Sequence, residues 1–117
     1  MNDLKKSLNK ILDEIIKKKK IVAGFGSARS ATTLIKYFDI SKKINFIVDD
    51  NKDKHFKFTP GDRIQVYPTQ EIYNKRKADY LVIFAWEHSE KIINSHKNFI
   101  KGGGTFINIL PKFELVN

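Results

Sequence analysis

A chain of 117 residues suffices for one domain that buries roughly two-thirds of its unfolded surface, and so needs no covalent staples. It contains no cysteine, which excludes a disulfide framework, a thiolate nucleophile and any cysteine-ligated zinc or iron–sulfur site, and fits a reducing cytoplasm. The formal charge of +9 comes almost wholly from lysine, with arginine only at Arg29, Arg63 and Arg76, so bidentate readout of bases or phosphates is poorly provided for and the surplus reads as solvated surface, not as a nucleic-acid interface.

Leu4, Leu8, Ile11, Leu12, Ile15 and Ile16 recur at helical spacing and predict an amphipathic helix over about 3–17, within an N-terminal helical segment 1–19. Its apolar face can pack on the chain's own sheet or on another domain. Lys5, Lys6 and Lys10 interrupt any signal-peptide core, and no apolar run approaches the roughly 20 residues needed to span a bilayer, so no membrane partner is expected. Ile21 to Phe25 is a continuous apolar run, as expected of a buried parallel strand. A helix over about 28–38 carries Ala31, Leu34, Ile35 and Phe38 on one face, and a second strand, Ile44 to Val48, ends in Asp49-Asp50. A polar loop over 51–61 leads to a short strand at Ile64 to Val66 and a short helix opened by Pro68-Thr69, with Thr69 as the expected N-cap. Tyr80 to Ala85 is the strongest strand. A helix over 87–100, with Ile92, Ile93, Phe99 and Ile100 facing inward, is stopped by Gly102-Gly103-Gly104. Thr105 to Leu110 is the last core strand, and Phe113 to Val116 is compatible with an added edge strand.

Strands alternating with helices predict an α/β domain spanning 1–117: a Rossmann-like three-layer sandwich around a mostly parallel sheet of about five strands, order 3-2-1-4-5, with an extra N-terminal helix. Ligands then bind beyond the carboxyl ends of the strands, at the switch between the first and fourth. That edge gathers Gly24, Gly26, Ser27, Asp49 and Trp86-Glu87-His88. Gly24 and Gly26 remove side chains where the chain turns sharply, and a helix starting near Ala28 offers its unpaired N–H groups to an anion. A dinucleotide fingerprint would have a third glycine where Arg29 stands. Asp49, just over 20 residues beyond the glycine pair, is placed to accept ribose hydroxyls, or is an ordinary acidic residue of a βα loop. Trp86 can stack on a ring or cap the core. Glu87-His88 can be an acid–base pair or an exposed helix start. His55, His88 and His96 have no metal-ligand spacing, Ser27 and Ser30 lack a nucleophile elbow, and no Walker lysine follows the glycines. These residues frame a pocket without a catalytic constellation.

The ordered set Gly24-x-Gly26-Ser27-Ala28, Thr33-Leu34-Ile35, Val48-Asp49-x-Asn51, Lys54, Thr59-Pro60-Gly61, Ile64, Ala78-Asp79-Tyr80, Ala85-Trp86 and Gly103-Gly104-x-Phe106-Ile107 resembles the C-terminal domain of the sugar C-methyltransferases over about residues 10–116. The resemblance implies three modules in the complete enzyme: a zinc-binding piece, an S-adenosylmethionine domain and this Rossmann-like domain. Metal, cofactor and catalytic residues would belong to the first two, so this chain would carry no cofactor of its own. Its partner would be an S-adenosylmethionine-dependent methyltransferase domain or chain. By the same resemblance Gly26, Ser27, Asp49, Lys54, Thr59, Pro60, Gly61 and Trp86 would surround a nucleotide-sugar. Ser30-Ala31 stands where the family tends to have Lys-Gly, and Trp86-Glu87 where it tends to have Trp-Asn, which puts a negative charge at the pocket mouth. The other readings are a free-standing nucleotide-binding or sensor domain and an interaction module that has lost its ligand; a homo-oligomer is left open.

Overall fold

The computed structural model of the chain describes residues 2–26, 29–50, 57, 64–73, 78–109 and 113–117. Its frame is a set of short apolar strands, β1 (Val22–Phe25), β2 (Phe46–Asp49), β4 (Tyr80–Ile83) and β5 (Thr105–Asn108), whose residues are buried on both faces at nearly every position. Only a sheet covered on both sides satisfies such runs. With β3 (Val66–Pro68) and β6 (Glu114–Val116) they form one six-stranded sheet in the order β3-β2-β1-β4-β5-β6. All pairings are parallel except β5 with β6, which is antiparallel at the edge. The expected order 3-2-1-4-5 is thus present, extended by one edge strand.

The alternation of strand side chains divides the core in two. Val22, Ile47, Val82 and Ile107 face one layer, where they meet Leu8, Leu12 and Ile15 of α1 (Asn2–Lys17) and Ala31, Ile35 and Phe38 of α2 (Arg29–Phe38). Ala23, Phe25, Phe46, Val48, Leu81, Ile83 and Phe106 face the other, where they meet Ile92 of α3 (Ser89–Ser95) and Phe99 of α4 (Lys97–Lys101). The N-terminal helix therefore packs on the chain's own sheet. Asn9 fastens it by donating to the Phe38 carbonyl at 2.8 Å, while Lys43 reaches Asn9 Oδ1 at 2.5 Å and Asp13 at 3.0 Å.

Several elements differ from the sequence expectation. The predicted 87–100 helix is a 3₁₀ turn, Trp86–His88, followed by α3 and α4 with His96 between them at φ −124°, ψ 40°. The third strand lies at Val66–Pro68 instead of 64–66, because Val66 pairs with Ile47 and Pro68 with Asp49; proline is tolerated there since β3 is an edge strand. Thr69–Ile72 is a 3₁₀ turn whose N-cap is Pro68, so Thr69 is not the cap. Its hydroxyl instead donates to Asp50 Oδ1 at 2.5 Å, a tertiary bond that local spacing does not reveal. No helix among the described residues is long and apolar enough to cross a membrane.

Candidate functional site at the carboxyl edge of the sheet

Gly26 leaves β1 at φ +99°, a conformation that L side chains rarely adopt. Its N–H donates to the Val48 carbonyl at 2.9 Å, and a Cβ here would lie 3.1 Å from the Ala85 methyl. The turn is thereby held between the ends of β2 and β4, at the switch point. Gly24 has another reason to be small. It lies within β1, and a Cβ there would overlap the fully buried ring of Phe84. α2 begins at Arg29, three residues after Gly26. Ser27 and Ala28, and likewise Lys54, Thr59, Pro60 and Gly61, lie outside the described residues.

Asp49 is the half-buried last residue of β2, in register with Pro68, and Asp50 follows it exposed. Trp86 opens the turn after β4 and is half-buried; Glu87 and His88 are exposed. Asp49, Gly26 and Trp86 therefore share the carboxyl edge of three adjacent strands.

Two clefts open on this edge on the α3 side. One, of about 220 Å³, has Phe25, Ala85 and Ile92 as an apolar floor and Asp50, His88, Lys91, Ser95 and His96 around its rim. The other, of about 210 Å³, is lined by Asp49, Asp50, Pro68, Thr69, Gln70, Tyr73 and His96. Asp50 and His96 belong to both and form the wall between them. A wider depression of about 510 Å³ on the outer side of α3, lined by Glu87, His88, Glu90, Lys91, Asn94 and Ser95, takes no residue from the strands.

His96 owes its place to the break between α3 and α4. Its ring packs on Phe25 with centroids 5.6 Å apart and on Tyr73 at 6.2 Å, and Tyr73 Oη lies 3.1 Å from Nδ1. Burial pushes the Tyr73 phenol above its ordinary value, partly offset by a hydrogen bond with the Phe99 backbone. At the end of β5, the buried Asn108 has an Oδ1 with no hydrogen-bond partner among the described residues.

Lys91, His96, Thr69 and Tyr73 were not expected as site residues from sequence. The available signal was His96: it stands four residues after Ile92 and three before Phe99, an inward position of the helical pattern that an apolar residue would ordinarily fill.

Among the described residues no group of three or more His, Cys, Asp or Glu side chains is arranged to hold a metal ion.

Comparison with known proteins gives the following. The family described as C-methyltransferase C-terminal domain matches residues 1–111. The C-methyltransferase NovU of Streptomyces niveus is 28% identical over 99 residues, which is 84% of this chain and 23% of that protein. The chain thus spans under a quarter of the length of this curated relative. In fold it is similar to UDP-D-quinovosamine 4-dehydrogenase from Vibrio fischeri, with a TM-score of 0.54, 16% identity and coverage of 84% of this chain and 93% of that one.

Proposed function

This chain belongs to the family of C-methyltransferase C-terminal domains, and from that premise we propose that it is the accessory domain that holds a nucleotide-sugar for methylation by a partner domain or chain. The observation that carries this is that Gly26, Asp49 and Trp86 share the carboxyl edge of β1, β2 and β4, beside one cleft at the ends of β1 and β4 and a second at the ends of β2 and β3. Open α/β sheets bind ligands at that point. Asp49 and Asp50 accept sugar hydroxyls, the first turn of α2 meets the diphosphate, and Trp86 contributes an apolar ring surface. The segment shared with the family relative is 23% of that protein, which leaves ample chain for the methyl donor site elsewhere. The named substrate of the fold neighbour, a UDP-sugar, is of the same chemical class.

The domain's contribution is binding and orientation. Fixing the nucleotide end of the substrate converts its encounter with a methyl donor into a step within one complex. S-adenosylmethionine would supply the methyl group from the partner, and no proton transfer is assigned to this chain.

Calorimetric titration tests the proposal. Saturable binding of a nucleoside-diphosphate sugar is expected, with no binding of S-adenosylmethionine. Micromolar affinity for S-adenosylmethionine would overturn the accessory assignment, and the absence of heat with UDP-sugars and thymidine-diphosphate sugars would overturn the substrate assignment.

A further inference from the structure

The two ends of the sheet carry opposite charge. At the carboxyl edge Asp49, Asp50 and Glu87 stand against Lys91 among the described residues. At the amino edge α1, α2 and α4 all finish, because each leads into the start of a parallel strand, β1, β2 or β5. Their last turns and the residues after them bring together Lys17 to Lys20, Lys36, Lys42, Lys43 and Lys101, all exposed but Lys43. The described carboxylates at this end are Asp13, Glu14, Asp39 and Asp79. Asp13 is paired with Lys43 at 3.0 Å, and Asp79 accepts the Ile21 N–H at 2.8 Å. The balance is positive.

Two further observations set this end apart from an ordinary lysine-rich surface. Ile16 and Tyr37, in the last turns of α1 and α2, keep 44% and 42% of their surface exposed among these lysines. Lys19 holds φ +58° and closes α1, its N–H on the Ile16 carbonyl at 2.9 Å and the Lys20 N–H on the Ile15 carbonyl at 3.1 Å. Glycine is the residue favoured in such a cap, and a lysine there is strained. Complementing the helix dipole accounts for a cation in a last turn. It does not account for a lysine at a left-handed position, or for uncovered apolar side chains beside it.

We propose that this amino edge is a peripheral contact surface for an anionic lipid bilayer. Ammonium groups on long apolar stems suit a diffuse layer of headgroup charge. Ile16 and Tyr37 enter the headgroup boundary, where an aliphatic chain and a phenol are both favoured. A protein partner fits less well, because protein interfaces are depleted in lysine. Nucleic acid also fits less well, because the described residues of this end include no arginine for bidentate phosphate contact. The contact lies on the bilayer and needs no spanning helix. It thus departs from the expectation of no membrane partner, which followed from the lack of a long apolar run. It also orients the domain, since the clefts at the opposite edge face away from the lipid.

Cosedimentation with vesicles tests this, with folding of each variant checked by its amide spectrum. The wild-type chain should bind vesicles of equal parts phosphatidylglycerol and phosphatidylcholine, and should not bind pure phosphatidylcholine. Each lysine at an anionic surface is worth about fivefold in partition, so Lys18→Gln/Lys20→Gln should bind about tenfold or more weakly. Lys5→Gln/Lys6→Gln removes the same charge roughly 18 Å back along α1, beyond a Debye length of about 8 Å, and should stay within about twofold of wild type. Since the chain lacks cysteine, a polarity-sensitive dye on Ile16→Cys reports that position alone, and its emission should shift to the blue with the mixed vesicles. No binding to either vesicle, equal binding to both, equal loss in the two lysine pairs, or an unshifted dye overturns the proposal. Duplex DNA bound more tightly than the mixed vesicles, at equal phosphate concentration, assigns the surface to nucleic acid instead.

Discussion

Tyr73 Oη lies 3.1 Å from His96 Nδ1, and this contact joins the turn after β3 to the break between α3 and α4. Residues 23 apart in sequence are thereby fixed around the wall shared by the two clefts. Because burial raises the Tyr73 phenol, the fold favours its neutral form. The sign follows: stability is fully present below the ordinary phenol value of about 10 and is lost as pH rises through the raised value in the folded state. A difference titration of phenolate absorbance between wild type and Tyr73→Phe should show one phenol ionising above about 10. Part of the alkaline loss of Tm should vanish in Tyr73→Phe. A difference curve centred at or below the ordinary value would show that burial does not govern this group.

Gly24 within β1 and Gly26 in the turn after it should respond differently to substitution. Gly24→Ala places a methyl against Phe84, whose ring is fully buried and has nowhere to move, so a loss of about 1–3 kcal/mol is expected in denaturant unfolding. Ligand affinity should survive in the folded fraction. Gly26→Val combines a strained backbone at φ +99° with crowding against Ala85, for a similar cost of about 1–3 kcal/mol, and should also abolish nucleotide-sugar binding. Equal binding by the two variants would make the Gly26 turn an ordinary connection.

Asp79, part of the motif by which the sequence resembles its family, sits at the opposite end of the sheet from the clefts. Its carboxylate accepts the Ile21 N–H at 2.8 Å, its own N–H donates to the Ile21 carbonyl at 2.9 Å, and its carbonyl accepts from Thr105 at 3.1 Å. It therefore sets the starts of β1, β4 and β5 in register. Asp79→Ala should cost about 1.5–3 kcal/mol, the range for a hydrogen bond to a charged group, with nucleotide affinity unchanged in the folded protein. A variant of wild-type stability that has lost ligand binding would reverse this assignment.

The strands and their order were legible because buried parallel strands read as unbroken apolar runs, and because right-handed crossovers leave few ways to arrange them. The break at His96 was not. Ile92, Ile93, Phe99 and Ile100 keep helical spacing across it, since α3 and α4 cover the same face of the sheet. Thr69 read as an N-cap because hydroxyl residues favour caps locally, whereas its actual partner, Asp50, lies 19 residues away. Of the carboxyl-edge residues, Gly26, Asp49 and Trp86 followed from topology alone. The clefts themselves did not, because their walls come from the ends of β1 and β2, the turn after β3, and α3, and each contributes residues that read singly as polar surface.

The basic charge should not make this edge a nucleic-acid site. The exposed lysines among the described residues are spread over α1 and the residues after it (Lys5, Lys6, Lys10, Lys17, Lys18, Lys19 and Lys20), α2 (Lys36), the connections (Lys42 and Lys57), α3 (Lys91) and α4 (Lys97 and Lys101). The cleft edge presents Asp49, Asp50 and Glu87 against one lysine, Lys91, among the described residues, a negative balance that repels a polyphosphate backbone laid across it while the carboxylates can still accept the hydroxyls of one sugar. A nucleoside-diphosphate sugar should shift the amide resonances of Gly26, Asp49 and Trp86. Duplex DNA should shift only the lysine-rich helices, weakly. Such binding rests on counterion release, so a complex with about three phosphate contacts loses roughly fortyfold in affinity when salt rises fourfold. DNA binding that resists that rise, or that shifts Asp49 and Trp86 as the nucleotide-sugar does, would assign the edge to nucleic acid instead.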